Sequence, residues 1–319
     1  MLEDYISDLL VLAIPLRNKF RGITVREVAI FRGVHGWSEF SPFVEYDDEE
    51  SATWLQAALE AANEPWPTLY RNRIPINGTL PIVEPSQVQE ILNRFSGCAT
   101  VKIKVDDFVR GAAIVEEVLN IYPKMKIRLD VNGGWTLEQA IHNLQDYHTH
   151  FGDVFDYVEQ PVASVLELAE IKSRVPIRIA ADESIRKRLD KDFSDFSQYA
   201  DVAILKWQPL GGFAAAHKLA AEIKLPVVIS SALETGIGIS HGLALAASLS
   251  NEPLDCGLGT VALLSSDVCE PPVLASNGFL EVKRREPVSY EKYLATPERE
   301  LFWRQRILRT LEVLERRRR

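Results

Sequence analysis

The sequence predicts an α/β fold in which a parallel sheet is wrapped by helices, either an open doubly wound sheet or a closed (β/α)8 barrel. Three observations lead there. From Thr100 onward, short β-rich runs alternate with longer amphipathic stretches, the rhythm of repeated strand-helix units. Five of these runs end in a charged residue, Lys104, Asp130, Glu159, Asp182 and Lys206, spaced by 26, 29, 23 and 24 residues. No GxGxxG follows the first run, which removes the main support for a dinucleotide-binding sheet.

The runs are ATVKIKV (99–105), KIRLDVN (126–132), FDYVEQ (155–160), IRIAADES (177–184), DVAILKW (201–207) and LPVVISSA (225–232). Between them lie the helical stretches 108–122, 137–147, 165–173 and 213–223, the first two opened by the capping residues Asp107 and Thr136. Two further units fit after Ala232, a helix over 239–248 leading into LDCGLG (254–259), although this pattern alone does not place an eighth strand. Residues 1–90 read differently. Strands at 8–15 and 24–32, a Gly- and aromatic-containing loop at 33–43 and a helix at 48–63 are α+β in character and predict a separate lobe. The barrel is then expected over 91–265. The tail, 266–319, with FLEVKR (279–284) and a charged helix from Pro297, is expected to fold back on that lobe.

Composition narrows the function. The 319 residues are 46% hydrophobic and 25% charged, the profile of a globular protein with a large core. Lys plus Arg number 36 against 45 Asp plus Glu, a net charge of -9, which argues against a nucleic-acid partner. The run Arg316 to Arg319 reads as a solvated helix end. Three scattered cysteines, Cys98, Cys256 and Cys269, fit neither a disulfide framework nor a zinc site, and point to a reducing, cytoplasmic setting. The start, MLEDY, is acidic, and the apolar stretch 9–16 is about half a membrane span. It is read as a first strand, with no membrane partner expected.

In a barrel the charged strand ends share one rim, and that rim builds the active site. Asp130, Glu159 and Asp182 bring three carboxylates to a common point, where their repulsion calls for a cation. Such oxygen ligands suit Mg²⁺. Lys104 and Lys206 flank that point, so a bound substrate would meet an amine on each side. A lysine becomes a base at neutral pH when a neighbouring cation or desolvation lowers its pKa, and Lys102, two residues from Lys104 on the same strand face, is expected to act as that neighbour. Arg128 and Asn132 share the face of Asp130 and are expected to hydrogen-bond the substrate or neighbouring ligands.

KIK (102–104), DVN (130–132), VEQP (158–161), DES (182–184) and ILK (204–206), in this order and at these intervals, resemble the enolase superfamily, in particular its muconate lactonizing enzyme subgroup. The resemblance implies an α+β capping domain, made from the N-terminal segment and the C-terminal tail, joined to a modified TIM barrel, (β/α)7β. It implies Mg²⁺ on Asp130, Glu159 and Asp182, a small carboxylate substrate, Lys104 as the proton-abstracting residue and Lys206 across from it. NRIPINGTLP (72–81), RLDVNGGW (128–135) and ISSALETGIGISHGLALAA (229–247) narrow the likeness to a dehydrating member of the subgroup. There Lys104 would remove the proton alpha to the carboxylate and then, as an acid, assist departure of hydroxide, while Lys206 steadies the enediolate. Racemases of N-acylamino acids and dipeptide epimerases share the same two lysines and three acids and are the alternative. Specificity is expected from the capping loops, 19–22 and 33–43, and from the rim at Ser230, Ser231 and Gly257.

Overall fold

The computed structural model describes residues 5–187 and 192–318. The first four residues of MLEDY and Arg319 lie outside them. β1 (Asp8–Phe20), β2 (Ile23–Gly33) and β3 (Gly36–Phe40) form an antiparallel meander. Leu10 faces Ile30 and Leu12 faces Val28 across the first pair, cross-strand contacts that suit branched side chains on a half-buried sheet. The stretch 33–43, expected as a loop, contains β3. Its middle holds Ser38 and Glu39, both buried, and polar residues at inward positions hide a strand from a reading based on hydrophobic alternation.

Helix α1 (Asp48–Asn63) packs on this meander. Asp47 caps it by accepting from the Glu50 N–H, and Asp48, Glu49 and Glu50 occupy its first turn, where the helix dipole favours negative charge. The chain then supplies β4 (Arg73–Pro75), followed by seven parallel strands of one sheet: β5 (Gly78–Leu80), β6 (Thr100–Lys104), β7 (Lys126–Asp130), β8 (Phe155–Glu159), β9 (Ile179–Ala181), β10 (Val202–Leu205) and β11 (Val227–Ile229). Their order in the sheet follows the chain. β5 lies inside the 1–90 stretch read as capping lobe, yet it pairs with β6, so the barrel begins before residue 91.

Between the strands run α2 (Val88–Leu92), α3 (Phe108–Ile121), α4 (Leu137–Phe151), α5 (Val165–Arg174), α6 (Glu183–Arg186), α7 (Trp207–Leu210), α8 (Phe213–Ile223) and α9 (Gly236–Ser248). Asp107 and Thr136 cap α3 and α4 through their side chains. The missing eighth strand is a two-residue bridge. Cys256 exchanges main-chain hydrogen bonds with Pro75 and Asn77 at 2.8 and 3.0 Å, and Gly257 with Ile229 and Ser231 at 2.8 and 3.0 Å. Too short to show a pattern, it joins the β5 side of the sheet to β11 and closes the (β/α)7β barrel.

Beyond the barrel, β12 (Phe279–Glu281) pairs with β4, and α10 (Pro297–Arg318) lies against α1. Arg306, buried on α10, donates to the carbonyls of Phe43 and Tyr46 at 2.9 and 2.7 Å and to Ser51 Oγ at 3.0 Å. The helix end is not merely solvated, because Arg316 and Arg317 each meet Glu49 at 2.9 Å.

Candidate active site

Because the seven strands run parallel, their C-terminal ends meet at one rim, and inward positions alternate down each strand. On β6 these are Thr100, Lys102 and Lys104; the register sets Lys102 beside Arg128 and Lys104 beside Asp130, with Asp130 beside Glu159 in turn. Lys206 follows β10 directly and Asp182 follows β9. Below this polar layer, Tyr157, Ala180, Val202, Ile204 and Val228 fill the barrel.

The three predicted acids and three predicted lysines form one ion-pair cluster. Lys102 Nζ lies 2.9 Å from Asp130 Oδ2 and 2.8 Å from Glu159 Oε2. Lys104 Nζ is 2.7 Å from the same Asp130 oxygen and 2.5 Å from Asn132 Oδ1. Lys206 Nζ is 2.5 Å from Asp182 Oδ2. All three carboxylates are buried. Burial pushes the Glu159 carboxyl up, the neighbouring charge of Asp130 adds to it, and the group stands at about 7. Burial acts the same way on Asp130, but Lys102 and Lys104 outweigh it and hold that group below the usual carboxylate range. Asp182 is held down against burial by Lys206 and Arg186. Burial pulls the Lys102 and Lys206 amines down, yet their carboxylate partners raise both above the ordinary lysine value.

Among the described residues no three acidic, histidine or cysteine side chains are gathered closely enough to hold an ion as they stand; each acid is engaged by a lysine. The donor chemistry nevertheless fits a hard divalent cation. Asp130 Oδ1 and Glu159 Oε1 are buried with no hydrogen-bond partner. A bare buried carboxylate oxygen is costly, and two of them on adjacent strands beside a third acid match the oxygen set such a cation takes.

Lys102, Lys104, Asp130, Asn132 and Lys206 line one cavity, together with Thr79, Glu183 and Arg186. Its upper wall comes from the capping domain: Phe20 and Arg21 at the β1–β2 turn, then Phe43, Tyr46 and Trp54. Lys104 Nζ lies 5.6 Å from the Phe20 ring centroid, and the Arg21 guanidinium 4.2 Å from that of Phe43. Within the loops expected to set specificity, Phe20, Arg21 and Phe43 are thus the residues that reach the cavity. Ser230, Ser231 and Gly257 line it from the β11 side. Ser231 Oγ is 2.7 Å from Thr260 Oγ1, and a Cβ on Gly257 would stand 2.4 Å from Ser230 Oγ, so a side chain there would displace the Ser230 hydroxyl.

Arg128 does not line the cavity. Its guanidinium donates to Asp156 Oδ2 at 2.8 Å, Asn77 Oδ1 at 2.9 Å and the Asp255 carbonyl at 2.5 Å, and it lies over the Tyr157 ring. One step down the strand from Asp130, Arg128 lies in the layer below the cavity, where it ties the barrel closed. Glu183 and Arg186 went unpredicted. Arg186 reaches Glu50 on α1 at 3.2 Å, a contact no local pattern reveals, whereas Glu183 sat inside the DES motif.

Comparisons with known proteins agree with this geometry. Residues 11–62 match the enolase N-terminal domain-like family and residues 86–287 the enolase C-terminal domain-like family. Among solved structures, the L-Ala-D/L-Glu epimerase of Bacillus subtilis shares the fold with a TM-score of 0.74 at 22% identity, over 91% of this chain and 98% of that one. The muconate lactonizing enzyme of Pseudomonas fluorescens does so at 0.73 and 18%, over 93% and 98%. The chain belongs to the enolase superfamily.

Its relatives are more specific. The o-succinylbenzoate synthase of Thermobifida fusca is 46% identical over 281 residues, 85% of this chain and 86% of the relative. That of Mycolicibacterium smegmatis is 44% identical over 316 residues, 96% of both. Within the superfamily this chain falls in the o-succinylbenzoate synthase family, and it is an enzyme of the hydro-lyase class.

Proposed function

We propose that this protein carries out the Mg²⁺-dependent dehydration of 2-succinyl-6-hydroxy-2,4-cyclohexadiene-1-carboxylate to 2-succinylbenzoate, as a cytoplasmic step of menaquinone biosynthesis. The observation that carries the reading is the placement of Lys104 and Lys206. They stand on β6 and beyond β10, with three strands between them, and both line the cavity. In a closed barrel of this size that separation sets them on opposite sides. A flat carboxylate substrate held over the acid layer would then present one face to each amine.

When bound by Asp130, Glu159 and Asp182, Mg²⁺ would supply the positive charge that steadies the substrate carboxylate as its alpha carbon loses a proton. The chain's own residues do the rest. Lys104, released from Asp130 and Asn132 and uncharged, takes the alpha proton. As the ammonium it then returns a proton to the departing hydroxyl on the same face. Lys206 remains cationic and lies near the ring, favouring the delocalised negative charge. Lys102, buried between Asp130 and Glu159, holds those two acids in register. Phe20, whose ring centroid lies 5.6 Å from Lys104 Nζ, covers the reacting carbon and limits the entry of water.

The second reading, racemisation of an N-acylamino acid or epimerisation of a dipeptide, draws on the same pair of lysines acting as opposed bases. Incubation in D₂O separates the two. With the cyclohexadiene substrate, rapid loss of the diene absorbance and formation of 2-succinylbenzoate are expected. Deuterium exchange into N-succinyl amino acids without any dehydration would overturn the leading reading. Among the described residues no helix is long and apolar enough to cross a membrane.

A further inference from the structure

The turn after β11 carries one wall of the cavity and is held in a shape that leucine seldom takes. Ser231, Ala232 and Leu233 line the cavity, and Leu233 has a φ of 67°. A non-glycine residue keeps that left-handed conformation only where its surroundings enforce it.

The enforcing groups come from the capping domain and from the barrel. Arg26, on β2, donates from Nε to the Leu233 carbonyl at 3.0 Å and from Nη2 to the Ala232 carbonyl at 3.1 Å. Nη2 also donates to the Ser41 carbonyl, and the guanidinium lies 4.4 Å from the Phe43 ring centroid. From the barrel side, Glu234 turns back to accept from the Ala232 N–H at 2.6 Å and from Gln208 Nε2 at 3.3 Å. Glu39, on β3, accepts from the Thr235 N–H and hydroxyl at 3.1 and 2.6 Å, from the Gly238 N–H at 3.1 Å and from Ser41 Oγ at 2.7 Å.

Arg26, Glu39 and Glu234 are buried, and none of the three lines the cavity. One cation and two acids withdrawn from water are costly to assemble compared with apolar residues of similar volume. Here Arg26 takes two successive carbonyls of a turn that the substrate would touch, while Glu234 and Glu39 accept from the N–H groups of Ala232 and Thr235 on either side of them. Only the planar fork of an arginine can grip both carbonyls while stacking on an aromatic face.

We propose that Arg26 is a positioning residue for substrate binding, holding the Ala232–Leu233 turn and Phe43 together so that the capping domain fixes the cavity wall against which the non-reacting part of the substrate rests. The inference rests on the dehydration reading for its kinetic consequence, but the grip on the turn can be measured without it. A wall that touches ground state and transition state alike contributes uniform binding, so its loss raises KM and leaves kcat.

The test is Arg26→Lys, which keeps a cation facing Glu39 and Glu234 and removes the fork. Amide hydrogen exchange at 231–235 is expected to quicken about tenfold relative to β6 and β7. KM for the cyclohexadiene substrate is expected to rise about tenfold with kcat within about threefold. Exchange and KM both unchanged, or kcat falling at constant KM, would overturn the proposal. Should the lysine variant not fold, Glu234→Gln, nearly isosteric, is expected to move both readouts in the same direction by a smaller factor; no movement in either overturns the clamp. A wild-type protein that fails to dehydrate the substrate would instead sink the reaction reading, and exchange at 231–235 would still decide for or against the grip.

Discussion

Lys104 touches Asp130 and Asn132, and Lys206 touches Asp182, so each amine is held by an acceptor until a substrate arrives. The two are assigned unequal work, one moving protons and the other supplying charge. Lys104→Ala is therefore expected to lower kcat by about a thousandfold or more while the circular dichroism spectrum stays native, and Lys206→Arg, which retains the charge, is expected to keep more dehydration than Lys206→Ala. Steady-state kinetics on the cyclohexadiene substrate check both; undiminished turnover by Lys104→Ala would refute the mechanism. A second residue-scale prediction concerns stability. Burial and then the neighbouring Glu234 raise the Glu39 carboxyl to about 7, against hydrogen bonds from Thr235 and Ser41 and the charge of Arg26. The folded protein thus keeps a proton there that the unfolded chain loses near its ordinary value. This contribution to stability is present below about pH 4.5 and is lost as pH rises toward 7, on the order of 3 kcal/mol for the group. Glu39→Gln can donate to Ser41 Oγ and accept from Thr235 and Gly238, so it is expected to flatten that limb when urea midpoints are compared at pH 5 and 7.5.

At the scale of elements, α9 shows how a helix that reads poorly in sequence is built. All thirteen of its residues are buried, it packs against β3, β4 and β11, and so it has no polar face from which to recognise a 3.6-residue period. Its start, TGIG, resembles a loop, and a helix over 239–248 was expected where the structure begins one at Gly236. The glycines answer to carboxylates. Asp267 accepts from the Gly236 N–H at 2.9 Å and Glu39 from the Gly238 N–H, satisfying orphan donors of the first turn. A Cβ on Gly236 would stand 2.4 Å from Asp267 Oδ2 and one on Gly238 2.5 Å from Glu234 Cβ. Gly236→Ala is expected to cost about 1–3 kcal/mol, read as a lower urea midpoint with an unchanged m-value. β3 was hidden for a related reason: apart from Ser41, the partners of its buried Glu39 are Thr235 and Gly238 of the barrel, nearly two hundred residues away in sequence.

At the scale of the whole molecule, the site lies where the capping domain meets the barrel rim, and both supply walls. Glu60 on α1 accepts from the Phe213 and Ala214 N–H groups at the start of α8 at 2.5 and 3.0 Å, Arg186 reaches Glu50, and Arg26 grips the turn after β11. Cap and barrel are joined by several polar contacts around the cavity mouth. The acid layer, by contrast, is internally balanced, with each of Asp130, Glu159 and Asp182 meeting a lysine. A chelator is therefore expected to abolish turnover while leaving the far-ultraviolet spectrum intact, with Mg²⁺ restoring activity. Activity that survives excess chelator would contradict the assignment of the three acids.

The sequence by itself determined the βα rhythm, the rim and the six charged residues that gather there, because five of them repeat with the strand-helix period and Lys102 follows from the two-residue alternation of β6, marks left at short range. Asn132, Ser230, Ser231 and Gly257 were legible as rim positions for the same reason. Only the tertiary structure decided what depends on meetings between distant segments. It placed Arg128 in the layer below the cavity, because its donors face Asp156, Asn77 and Asp255. It also supplied the eighth strand as a two-residue bridge and brought Phe20, Arg21, Tyr46 and Trp54 into the wall of the cavity that the lysines line. Periodicity records which face a residue occupies; depth along that face, and the partner waiting there, are fixed only when the barrel closes and the cap docks.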